Sequence, residues 1–182
     1  MGPLKPEVVQ ATAHSSNPIQ SASNVLILGE EDASIDGKPN YWVAEMVKTT
    51  GQGFTLKVDN CKRLIGGCQI KNKGQGYANY YATKEFRVSG SINENGPWET
   101  LVEDQLVDTR HSPAPLLNFT FEEPVEIQFI KFDLISYWGT NAGGLQYFAA
   151  ILATGEKKHN SYCIPNNRPI PKHAPKARRC DS

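Results

Sequence analysis

Apolar and polar residues alternate with a period of two along much of this chain. Phe54-Thr55-Leu56-Lys57-Val58-Asp59 puts Phe54, Leu56 and Val58 on one side and Thr55, Lys57 and Asp59 on the other. That is the signature of a half-buried strand. Leu64–Lys71, carrying Ile65 and Ile70, predicts a second strand. Thr83–Ile92 alternates through Phe86, Val88 and Gly90 and runs into Asn93-Glu94-Asn95-Gly96-Pro97, a dense cluster of turn formers. Trp98–Val102 resumes the pattern. Leu117–Phe121 and Val125–Ile135 follow, with Pro124 expected to break the chain between them, and Tyr147–Leu152 closes the body. No segment sustains apolar residues at the spacing of a helix face. Roughly seven or eight strands with turns about every 8–12 residues is the rhythm of an all-β sandwich or barrel.

Composition narrows the class. The chain has 182 residues with 19 Lys+Arg against 19 Asp+Glu, which suits one domain with extended ends. Its apolar runs, such as Phe148–Ala153, are far shorter than the roughly 20 residues a membrane helix needs. Charge is unevenly placed. Residues 1–156 hold 12 basic and 18 acidic side chains, whereas 157–182 hold 7 basic and one acidic, Asp181. Pro165, Pro169, Pro171 and Pro175 break regular structure in that basic tail. The expected organisation is an N-terminal piece over 1–7, disordered or left from cloning, a β body over 8–155 and an irregular tail over 156–182. The tail reads first as a solvated extension, and second as an arm for anionic partners. No leader peptide is visible behind Met1.

Several spaced pieces resemble one family. Ala13-His14-Ser15-Ser16, Ser23-Asn24-Val25-Leu26 and Tyr41-Trp42-Val43-Ala44 look like its first strand and long loop. Phe54–Asp59 with Leu64-Ile65-Gly66-Gly67, then Glu85–Ser91 with Gly96–Leu101, resemble its middle strands. Pro124 to Leu134, Ser136-Tyr137-Trp138-Gly139 and Leu145-Gln146-Tyr147 resemble its closing strands. The family is that of discoidin, or coagulation factor 5/8 type C, domains. The resemblance implies a jelly-roll-like antiparallel β-sandwich of the galactose-binding-like kind, non-catalytic, which binds through loops at one end. The family's paired terminal cysteines are not clearly matched here.

Within that frame the ligand-binding candidates fall on three loops. Tyr77, Asn79, Tyr80 and Tyr81 lie in an aromatic and amide-rich stretch just before the strand at Phe86. Tyrosine rings stack on the C–H face of a sugar at low entropic cost. Arg110 and His111 form the second group: the guanidinium can fork onto a carboxylate, a phosphate or paired hydroxyls, and its bland alternative is an ion pair with Asp108. Trp138 and Asn141 form the third, with Trp138 read as a stacking platform, a lipid anchor or a cap over the sandwich end. Trp42 and Trp98 are expected in the core.

No cofactor is required by this reading. The acidic turn around Asp32 and Asp36 offers oxygen ligands for a structural calcium, though without EF-hand spacing. Cys61, Cys68, Cys163 and Cys180 allow three disulfide pairings, Cys61–Cys68 with Cys163–Cys180 among them. An even count fits an oxidising compartment. Asn118-Phe119-Thr120 is a glycosylation sequon placed in an expected strand. Enzyme motifs are missing: there is no G-x-S-x-G and no Walker A, and His14, His111, His159 and His173 are scattered. The expectation is a secreted module that binds a glycan, with a galactose-type sugar implied by the family resemblance. An anionic lipid headgroup met by peripheral membrane contact, or an extracellular protein, is the alternative, and no nucleic acid partner is expected.

Overall fold

The computed structural model describes residues 10–14, 22–26, 28, 34–35, 38–39, 41–44, 51–74, 81–139 and 142–153. In chain order the strands are β1 (Gln10–Ala13), β2 (Ser34–Ile35), β3 (Lys38–Pro39), β4 (Trp42–Val43), β5 (Gln52–Lys57), β6 (Arg63–Asn72), β7 (Thr83–Ser91), β8 (Glu99–Gln105), β9 (Leu116–Ile127), β10 (Phe129–Tyr137) and β11 (Gly144–Leu152). A 3₁₀ turn spans Ala22–Leu26. One sheet runs β1-β5-β10-β7-β8 and the other β4-β11-β6-β9. Every named pairing within them is antiparallel. The protein is an antiparallel β-sandwich, as the alternating pattern predicts.

Alternation puts one row of each strand inside, and here the row is aromatic. Phe132 on β10 is the register partner of Phe54 on β5. Their rings stack at 5.2 Å, and Phe86 of β7 stacks on the other side of Phe132 at 5.7 Å. The facing sheet answers with edges: Trp42 meets Phe54 at 5.2 Å and 79°, and Phe148 meets it at 5.7 Å and 82°. Stacked and edge-on pairs are the favoured arrangements of ring quadrupoles. All five rings are at most 1% exposed. Gly53 lets β5 approach the β10 backbone closely: its φ is +154°, and a Cβ there would lie 2.0 Å from the Phe132 carbonyl oxygen.

Three expectations are corrected. Pro124 does not break the chain but lies inside β9. Ile65 pairs with Val125 and Gly67 with Thr120, so residues 121–124 bulge from a strand at the edge of its sheet. A missing N–H is tolerated at such a place. The break falls instead at Gln128, where the chain passes from one sheet to the other. Its carbonyl accepts from Val58 N and its amide donates to Ser91 O.

Trp98 is not core. It is half-buried on the outer side of the five-stranded sheet, with Lys131 Nζ 5.0 Å above its ring. A bulge between Val88 and Ser89 shifts β8, and Leu101 packs against the core instead. Strand side chains switch faces with every residue, so a slip of one exchanges the two sides. Cys68, finally, is buried with a free thiol, so the Cys61–Cys68 bond is not formed. Cys68 sits in mid-β6 facing the core. Burial pushes its thiol up to about 12. Cys163 and Cys180 lie outside the described residues.

Candidate functional site

Antiparallel order brings particular strand ends together. Asn72 closes β6, Thr83 opens β7, Gln105 closes β8, Tyr137 closes β10 and Gly144 opens β11. Leu145 pairs with Asn72, Tyr137 with Thr83 and Glu85 with Gln105. The three predicted binding loops, over 72–81, 108–113 and 137–144, therefore leave the sandwich at one end.

A buried polar network ties them to each other. Asn72 Nδ2 donates to Thr83 O at 2.8 Å, and Asn72 Oδ1 accepts from Thr83 N and Lys73 N, both at 2.9 Å. Thr83 Oγ1 donates to Gly144 O at 2.7 Å. Thr109 Oγ1 donates to Lys73 O at 2.8 Å, joining the second loop to the first. Trp138 N donates to Ala82 O at 2.9 Å, and its indole Nε1 donates to Leu106 O at 3.0 Å. Asn72, Lys73, Thr83 and Thr109 are at most 3% exposed. Buried polar groups are costly unless partnered, so these bonds fix the loop stems in one arrangement. Sequence reading missed Asn72, Thr83 and Thr109, because nothing in their types marks them as braces.

The predicted site residues divide as follows. Tyr81 is half-buried two residues before β7, while Tyr77, Asn79, Tyr80 and Asn141 lie outside the described residues. Trp138 is half-buried; its N–H is spent on Leu106, and Lys84 Nζ stands 5.0 Å above its ring. The indole is thus a brace between loops, with one face under a cation. Arg110 commits its fork to Asp108: Nε donates to Oδ1 at 2.9 Å and Nη2 to Oδ2 at 2.7 Å. That hydrogen bonding lowers the Asp108 carboxyl to about 2. His111 is exposed beside them. Val107, 63% exposed, was not anticipated. It places an aliphatic surface next to the carbonyl that holds Trp138.

Asp32 and Asp36 lie outside the described residues. Among the described residues, no group of three or more His, Cys, Asp and Glu side chains converges. No helix among them is long and apolar enough to cross a membrane.

No protein-family model matches the chain, and no curated protein matches it. Solved structures do. The chain is similar to the family 32 carbohydrate-binding module of Clostridium perfringens NanJ, solved in complex with galactose. The TM-score is 0.62 at 14% identity, over 81% of this chain and 96% of that one. It is similar to a family 32 module of a C. perfringens family 89 glycoside hydrolase, solved with GalNAc-β-1,3-galactose. There the TM-score is 0.64 at 14% identity, over 82% and 99%. A longer family 89 glycoside hydrolase from the same organism also superposes (TM-score 0.59, 15% identity), but the chain spans only 15% of it. These likenesses show the fold.

Proposed function

We propose that this chain is a non-catalytic carbohydrate-binding module acting outside the cell, in the manner of family 32 modules and the discoidin domains related to them. The observation that carries the reading is the braced rim. Packed rings fill the interior, and the described stems of the loops are hydrogen-bonded to one another at one end, so binding falls to a rim whose bases are fixed. Fixed loop stems reduce the ordering cost of binding. Neighbours of the same fold hold galactose and a galactose-containing disaccharide, which makes galactose-type glycans the first to try. The residues proposed to contact sugar are Tyr77, Asn79, Tyr80 and Tyr81, with Arg110, His111, Trp138 and Asn141 around them. No step of this function runs through a metal.

Affinity for a single site of few contacts on a well-hydrated ligand is expected at about 10⁻³ to 10⁻⁵ M. A glycan array followed by calorimetry tests it. Binding to terminal galactosides, lost in the Tyr80→Ala variant, is the expected result. Silence across galactosides, glucosamine polymers and uronates overturns it. Phosphatidylserine vesicles run beside the array separate the lipid alternative. Sedimentation that is lost with salt, or on removing 157–182, would replace the sugar reading with that one.

A further inference from the structure

We propose that Asn118 is a glycan acceptor: the outer face of the four-stranded sheet carries an N-linked oligosaccharide. Asn118-Phe119-Thr120 is the one Asn-X-Ser/Thr triplet of the chain, and its middle residue is not proline. Its place in a strand looks like an obstacle in the sequence. The structure removes the obstacle by the period of two. Phe119 points inward, its ring 5.2 Å from that of Phe86. Asn118 and Thr120, one residue to either side, are both exposed on the outside. β9 is an edge strand as well, paired on the β6 side within its sheet.

The amide is also set the right way round. Gln69 Nε2 donates to Asn118 Oδ1 at 2.8 Å. That bond holds the carbonyl and leaves Nδ2, the atom that is glycosylated, directed away from Gln69. A glycosylated amide keeps its carbonyl oxygen and one N–H, so the bond to Gln69 survives the modification. Beside the pair runs an open groove of about 430 Å³, lined by Gly66, Gly67, Thr120, Ile151 and Ala153 among others. This is within the range of small-ligand sites, about 300–1,000 Å³. One part of its wall is low because Gly66 and Gly67 carry no side chain, and a Cβ on Gly67 would sit 2.3 Å from the Phe119 carbonyl oxygen. The first sugar can therefore lie along the sheet without displacing anything.

Transfer takes place on the unfolded chain during export, so the folded strand has only to accommodate the product. The Asn118 Nδ2 forms a bond to C1 of the sugar of a polyprenyl-diphosphate-linked oligosaccharide. The C1–O bond to the diphosphate breaks, its electron pair leaves with the polyprenyl diphosphate, and the amide gives up one proton to a base of the transferase.

The test is independent of sugar binding. The full chain behind an added secretory leader is translated with microsomes, and the protease-protected fraction is run before and after peptide-N-glycosidase. The wild type is expected to run one glycan larger than the digested chain. Asn118→Gln and Thr120→Ala should run at the digested position, while Thr120→Ser keeps the shift. A protected wild-type chain unmoved by the enzyme, beside a modified control protein, overturns the proposal, as does a shift that persists in Asn118→Gln. Glycosylated wild type and Asn118→Gln, both secreted and purified, should melt at the same temperature. A clearly lower melting point for the glycosylated chain would overturn the accommodation by the groove.

Discussion

The interior of the sandwich and its rim are held by different physics. Inside, Phe54, Phe86, Phe132, Phe148 and Trp42 gain from area and ring geometry, and that gain is spread over many weak contacts. At the rim, Asn72, Thr83, Thr109 and Trp138 act through single directional bonds to named carbonyls and amides. Losing area costs stability in proportion, while losing one bond strands a buried partner. A ligand site benefits from the second kind of construction, because position there matters more than total stability.

The largest effect should come from the interior. Phe132→Ala removes the ring that touches four others and is expected to lower stability by about 3–5 kcal/mol. Chemical denaturation measures it, and a loss below about 1 kcal/mol would mean that the stack is not the core. Next comes the rim. Thr83→Val keeps the shape but removes the donor to Gly144 O, at an expected cost of about 1–3 kcal/mol. Its mark is a fall in galactoside affinity beyond what the stability loss explains. Equal affinity in a folded variant would show that the brace does not set the site.

A third, smaller effect distinguishes the two regions by pH. Cys68 lies in the interior, and folding moves its thiol from 9.0 to about 12. The native state keeps the proton longer than the unfolded chain. Stability from this group is complete below pH 9.0 and declines as pH rises toward about 12. Cys68→Ala should have lower stability throughout but a flatter decline over that range, as read from denaturation at several pH values. Parallel curves would contradict the assignment.

The smallest effect belongs to the rim surface. Asp108 is lowered from 3.8 to about 2 by its hydrogen bonds to Arg110. Whatever stability that pair adds is present above pH 3.8 and is lost as pH falls through about 2. Both side chains are about a third exposed, so water and salt screen the pair. Arg110→Ala should leave the melting temperature almost unchanged at pH 7. A tenfold drop in galactoside affinity in the same variant would place Arg110 among the sugar contacts.

Much of the sandwich is legible in the sequence because burial repeats every second residue. Phe54–Asp59 and Thr83–Ile92 announce β5 and β7 by alternation alone. Trp98 and Pro124 are misread for one reason, since a bulge shifts the register and no local pattern encodes it. Of the rim, two loops can be found as glycine-rich or aromatic interruptions between strands, and the third as the polar stretch Asp108-Thr109-Arg110-His111-Ser112-Pro113. The residues that hold them cannot, since Asn72 and Thr109 are bonded to segments 11 and 36 positions away.

Alternation and turn chemistry in the sequence therefore determine that this chain forms two pleated layers and, away from the bulges, which side chains fill the space between them. Solvent exclusion acts at every position and needs only local spacing to be satisfied. Which loop ends meet, which polar groups are buried as partners, and that Arg110 spends its charge on Asp108 are decided by the tertiary structure. A hydrogen bond depends on distance and angle between residues far apart in the chain, and those are fixed only when the sheets have packed.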